Sequence, residues 1–144
     1  MAFNIKKLNS YSHNSSQFDT NISFDDNNNI HGTILFKRRT GHSIFKPRKI
    51  WKLKQFYSYE FELHLEHSSS KNNYFPIHFD HSFTTSTIST ETNHTINNIL
   101  FKFSIFPINK PNKKFEFASP IKEDIITFYE FINHKIEIDQ LNNS

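Results

Sequence analysis

FEFASPIKEDIITFYEFINHKI, residues 115–136, decides the fold class, because the spacing of its apolar residues changes midway. Phe115 and Phe117 alternate with Glu116 and Ala118, the two-residue period of a strand. Beyond Ser119 and Pro120 the period becomes helical, and Ile121, Ile125, Phe128, Ile132 and Ile136 fall on one stripe. Ser119 suits an N-cap and Pro120 the first helical position, while Glu123 and Asp124 occupy the first turn, where the helix dipole favours acids. The spacing predicts a helix over residues 120–138 whose stripe packs on a sheet, with residues 139–144 fraying.

Working back from this switch, the chain reads as strands and loops. Ile99, Phe101, Phe103 and Ile105 alternate with Leu100, Lys102, Ser104 and Phe106, a strand buried largely on one face. Residues 82–90 are Thr-rich and β-prone, and 91–98 read as a polar loop. Phe75, Ile77 and Phe79 alternate with Pro76, which favours an edge position because proline cannot donate to a ladder. The clearest alternation sets Tyr59, Phe61, Leu63 and Leu65 against Glu60, Glu62, His64 and Glu66. Residues 50–66 read as two strands joined near Ser58, with Trp51 and Leu53 opposite Lys52 and Lys54. Residues 1–29 are Asn/Ser-rich and read as a flexible tail carrying one short strand near 22–24. The expected architecture is mainly β: about seven antiparallel strands over residues 30–138, curled into an open barrel and closed by one C-terminal helix. Strands first and one helix last exclude a doubly wound α/β sheet.

Composition excludes several function classes. The 144 residues suffice for one domain with a substantial core, to which 17 Phe, five Tyr and one Trp contribute. With no cysteine there are no disulfides, thiolate metal sites or cysteine nucleophiles, and two glycines leave no Gly-rich phosphate loop. No signal-like apolar run opens the chain, and no segment has the composition of a membrane span, so a soluble intracellular protein is expected. Nine histidines raise a metal reading. His64 and His67, like His78 and His81, are three apart, however, and on strands this spacing points to opposite faces. Glu60, Glu62 and Glu66 lie on one polar strand face with no sign of a catalytic pair. No enzyme activity, cofactor or metal is expected.

The charge pattern is more informative. Residues 32–56 hold eight basic residues (Lys37, Arg38, Arg39, Lys46, Arg48, Lys49, Lys52 and Lys54) and no acid. The rest of the chain has nine Lys/Arg against fourteen Asp/Glu, so the overall charge of +3 comes from this segment alone. Such a cluster on a slightly acidic body points to an anionic partner.

In element order and length, residues 30–138 resemble a pleckstrin-homology (PH) domain. Gly32, Leu35 and Lys37 are similar to the PH opening, with one extra residue between Gly and Leu. Trp51-Lys52-Leu53-Lys54-Gln55-Phe56 is similar to the second-strand pattern Trp-Lys-x-Arg-x-Phe, with Lys in place of Arg. The usual helix tryptophan is missing, and Phe128 or Phe131 would take its place. The resemblance implies a non-enzymatic adaptor, cytoplasmic or peripheral at membranes, that binds phosphoinositide headgroups or a protein partner. It assigns ligand contacts to Lys37, Lys52 and Lys54, with Arg39, Lys46, Arg48 and Lys49 contributing from the loop. Lys at position 54 keeps the charge but loses the bidentate fork of Arg. The alternative is a nucleic-acid-binding or ribonucleoprotein-associated β protein, in which Phe36, Phe45, Trp51, Phe56 and Tyr57 would stack bases between the cations.

Overall fold

The computed structural model describes residues 18–39, 50–67, 73–94 and 98–143, with the backbone alone at residue 39. Its elements in chain order are β1 (Asn21–Phe24), β2 (Ile30–Arg39), β3 (Lys52–Tyr59), β4 (Glu62–Glu66), β5 (Tyr74–His78), β6 (Phe83–Thr85), β7 (Ser89–Asn93), β8 (Asn98–Pro107), β9 (Lys114–Ser119) and the helix α1 (Lys122–Asn142). The strands form a single antiparallel sheet ordered β5-β4-β3-β2-β9-β8-β6, with β1 added to β2 and β7 added to β8.

Nine strands replace the expected seven, for two local reasons. The short strand expected near residues 22–24 is β1, and it joins the sheet: β1 pairs with β2 from Asn21↔Thr33 to Phe24↔Ile30. The Thr-rich segment is two strands, because it leaves the β8 ladder at residues 86–88. There the Ser86 amide donates to the Ser104 carbonyl, and the Ser104 amide to Ser86 Oγ. β6 and β7 thus lie end to end along one edge of β8, and residues 91–93, expected in a loop, are strand. The turn between β3 and β4 falls at Glu60, two residues beyond Ser58, and Glu60 adopts the left-handed conformation (φ 53°) that this tight reversal needs. β5 is an edge strand, as Pro76 predicts.

Alternation sorts the side chains onto two faces. The inner face holds the main core, including Ile30, Ile34 and Phe36 of β2, Phe56 of β3, Leu63 and Leu65 of β4, and Phe103 and Phe117. α1 lies across it and buries Ile125, Phe128, Phe131, Ile132 and Ile136. Phe128 is fully buried there, with its ring centroid 5.1 Å from Phe56, 5.8 Å from Phe103 and 4.8 Å from Phe117. Removing such a fully buried ring costs about 3–5 kcal/mol. Ser119 does not cap the helix. It is the last, fully buried residue of β9, and its hydroxyl accepts the Ile121 amide, so α1 starts two residues later than expected. The outer face carries a smaller cluster of Phe18, Leu35, Trp51, Leu100 and Ala118. No helix among the described residues is long and apolar enough to cross a membrane.

β1 can join β2 only because residue 32 is glycine. Gly32 has φ +145°, and a Cβ there would overlap the Asn21 carbonyl oxygen. Gly32→Ala combines that overlap with a backbone conformation open almost only to glycine. The variant should lose roughly 3 kcal/mol or more in urea unfolding. Substituting Ala for the exposed Leu141 at the far end of α1 should change stability by less than about 0.5 kcal/mol.

Candidate anion-binding site

β2 and β3 are adjacent, and their register sets Lys52 opposite Phe36, Leu53 opposite Leu35 and Lys54 opposite Ile34. Lys52 and Lys54 therefore share the inner parity of Ile34 and Phe36. The next inner position on β2 is Arg38, which lies opposite Phe115 of β9. Arg38 is exposed, and its guanidinium lies 5.2 Å from the Phe75 ring centroid and 5.4 Å from that of Phe115. The Lys54 amine lies 5.8 Å from the same Phe75 ring and donates to the Glu66 carbonyl at 2.8 Å. Phe36 closes the floor, 6.0 Å from Phe75 and 6.4 Å from Phe115. Three basic residues thus share one end of the inner face, with Arg38 and Lys54 beside aromatic rings whose faces attract positive charge.

Lys54 is the unusual member, with only 6% of its surface exposed. Burial first, and then the neighbouring Lys52 charge, hold its amine below the usual lysine range. Arg38 adds to this, against an opposing effect of Glu66. An anion brought beside this amine would act against the effect of burial and favour its charged form.

Lys37 does not join this group. It has the outer parity of Leu35, and its amine lies 4.3 Å from the Trp51 ring centroid on the far side of the sheet. Trp51 Nε1 donates to Glu91 Oε2 at 2.8 Å, and the Lys102 amine donates to Glu91 Oε1 at 3.0 Å. Of the expected contacts, Lys52 and Lys54 come together and Lys37 is separated from them. Arg39 contributes its backbone pairing with Lys114, and its side chain lies outside the described residues, as do Lys46, Arg48 and Lys49. Arg38, absent from the expected contacts, is the residue brought in. Its parity with Ile34 and Phe36 was the available signal.

The aromatic rings expected to stack bases are mostly inside: Phe36, Trp51 and Phe56 are buried. Nor do the paired histidines meet. His64 Nε2 lies 3.1 Å from Glu62, whereas the His67 ring abuts Phe75. His78 Nε2 lies 3.4 Å from Asp80, whereas His81 Nδ1 lies 2.6 Å from Asp139. Asp80, His81 and Asp139 have ligand atoms within 4.8 Å of one another. His81 gives both its amide and its ring N–H to Asp139, which ties the β5–β6 connection to the end of α1. These hydrogen bonds lower the Asp139 pKa.

Glu91 gives the outer cluster a pH signature. Burial alone would raise its pKa, but hydrogen bonds from Trp51 and Lys102 outweigh it and hold the carboxyl below its usual value. A depressed folded pKa adds stability that is complete above the unfolded value, about 4.3, and is lost as pH falls through the folded value. Glu91→Gln should therefore be less stable than the unsubstituted chain by roughly 1 kcal/mol at pH 7, after allowing for partial exposure. In urea titrations the gap should narrow as the pH falls below about 4.3, the unfolded value. A gap that stays constant into acid would mean that packing, not charge, makes the difference. No protein-family model, curated protein or solved structure matches this chain.

Proposed function

We propose that this chain is a non-enzymatic, PH-like module that holds itself at a membrane by binding the phosphate groups of anionic lipids, phosphoinositides above all, at the Arg38–Lys52–Lys54 cluster. The observation that carries this reading is the approach of Arg38 and Lys54 to the Phe75 ring, with Lys52 beside Lys54 on the same face of β3. A phosphate there would answer several charges with charge-assisted hydrogen bonds, and Arg38 would supply the bidentate fork that Lys54 lacks. The β2–β3 connection, which carries Lys46, Arg48 and Lys49, leaves the sheet at this same end. Each of its basic residues near an anionic surface adds about 1 kcal/mol of attraction.

The topology fits the reading. Counting β6 and β7 as one interrupted strand and setting β1 aside leaves seven strands followed by one helix, the element order of the PH resemblance. Strands β2–β5 and β6–β9 then form two antiparallel meanders joined through β2 and β9, a sheet that can curl into an open barrel around α1. Nucleic acid is disfavoured, because burial of Phe36, Trp51 and Phe56 removes most of the stacking platform.

Co-sedimentation with liposomes tests the proposal. Arg38→Ala and Lys52→Ala should each weaken binding to phosphoinositide vesicles about tenfold, since a hydrogen bond to a charged group is worth roughly 1.5–3 kcal/mol. Lys37→Ala, on the opposite face, should stay within about twofold, the effect of one distant charge at physiological salt. Lys54→Met should weaken binding as strongly, because it removes one of the three charges while keeping an unbranched stem to fill the site. Equal losses from Lys37→Ala and Lys52→Ala, or pelleting that follows total lipid charge alone, would sink the idea of a built site.

A further inference from the structure

The outer face divides into two halves. Over β2, β8, β9 and Leu53 of β3 it is covered by the Phe18–Trp51 cluster, whereas over the rest of β3 and over β4 and β5 no described element covers it. A solvated strand face is ordinarily built from Thr, Lys and Glu. This one instead displays tyrosines. The Tyr57 ring lies parallel to His64 (4.7 Å, 4°) and tilted against Tyr74 at 5.2 Å, so three rings form one continuous surface. Tyr57 is 40% exposed and Tyr59, two residues on, 58%. Tyrosine in contiguous, exposed groups is the residue type that binding interfaces favour.

The charge of this face selects the occupant. The outward positions of β3, β4 and β5 carry no Lys or Arg, while Glu62 and Glu66 point outward from β4 and Glu60 stands at the adjoining turn. Glu66 already lies within the field of Lys54. Among the described residues Glu62, opposite Tyr59 in the ladder, has imidazoles as its ionic neighbours, with Oε1 3.1 Å from His64 Nε2 and Oε2 3.9 Å from His78 Nδ1. An anionic ligand would be repelled here. A planar cation can lie flat on tyrosine rings while forking to a carboxylate at their edge, and this describes a guanidinium better than an ammonium.

We propose that the outer face of β3–β5 is a docking surface for a protein segment that presents an arginine side chain, stacked on Tyr57 and Tyr59 and paired with Glu62. This surface lies on the opposite side of the sheet from the lipid cluster and does not depend on it. The module would then hold an anionic ligand on one face and a cationic partner on the other.

The test uses the full chain, labelled with ¹⁵N and titrated in NMR with an acetylated, amidated peptide of alternating glycine and arginine. Its lysine and glutamate counterparts serve as comparisons. The arginine peptide should shift amide signals of β3–β5 and bind several-fold more tightly than the lysine peptide, with no binding of the glutamate peptide. Each ring removed should weaken it roughly two- to fivefold, as for exposed cation–π contacts. Tyr57→Ala, Tyr59→Ala and Glu62→Gln should each show the loss, Tyr57→Phe should retain binding, and Lys52→Ala should not alter it. Tyr59 is the control against misfolding, because it lies at the exposed end of β3. Equal affinity for lysine and arginine, or shifts unaffected by the tyrosine variants, would overturn the proposal. So would a dimer in sedimentation velocity that Tyr59→Ala dissociates, since a second copy would then be the occupant.

Discussion

The structure depends on how β2 shares its two edges. One edge is paired with β3 over residues 31–36, and the other with β1 and then β9 in succession. Ten residues of one strand thereby hold the first and last strands of the sheet end to end. Gly32 makes this possible, because a side chain there would displace β1. With β1 and β9 fixed, the polar contacts at the root of the helix follow. Thr20 shares a hydrogen bond with Ser119 and donates to Asp124 at 2.7 Å, which joins the entry to β1, the end of β9 and the first turn of α1. Helix stability comes chiefly from packing, and here the packing surface is assembled before the helix is reached in the chain.

That arrangement leaves two unlike surfaces. α1 covers the inner face where Phe56, Phe103 and Phe117 meet Phe128, but the helix side chains in the core begin at Ile125 and end at Ile136. Phe36, Phe75 and Phe115 instead form the floor under Arg38 and Lys54. The same strands expose rings and carboxylates on their outer side. Alternation is what permits this: Lys54 and Gln55, or Tyr57 and Ser58, are neighbours in sequence and face opposite environments.

Period was the legible quantity in the sequence. The change near residue 119, the helix stripe and the alternation of β4 all follow from local spacing, and the mainly β class with one terminal helix comes from them. Strand count was less legible. β1 has only Ile22 and Phe24 to signal it, and the break between β6 and β7 arises from Ser86 exchanging hydrogen bonds with Ser104, a partner 18 residues away. The site was half legible for the same reason. Lys52 and Lys54 announce a shared face by spacing, but which β2 residue joins them depends on register against β3 and β9. A shift of one residue exchanges Lys37 for Arg38. The tyrosine surface was invisible because Tyr57, His64 and Tyr74 meet only across three paired strands.

Lys54 is where the core meets the cation cluster. Its register partner on β2 is the fully buried Ile34, and its own side chain is buried, so burial and the charges of Lys52 and Arg38 act against its ammonium form while Glu66 acts for it. Its amine donates to the Glu66 carbonyl, which satisfies one of its donors. Under the proposed reading a phosphate would shift that balance towards the charged form, because an anion reached by all three cations interacts with them more strongly in partly desolvated surroundings than in water. Position 54 is thus the point at which packing and the proposed anion site draw on the same side chain.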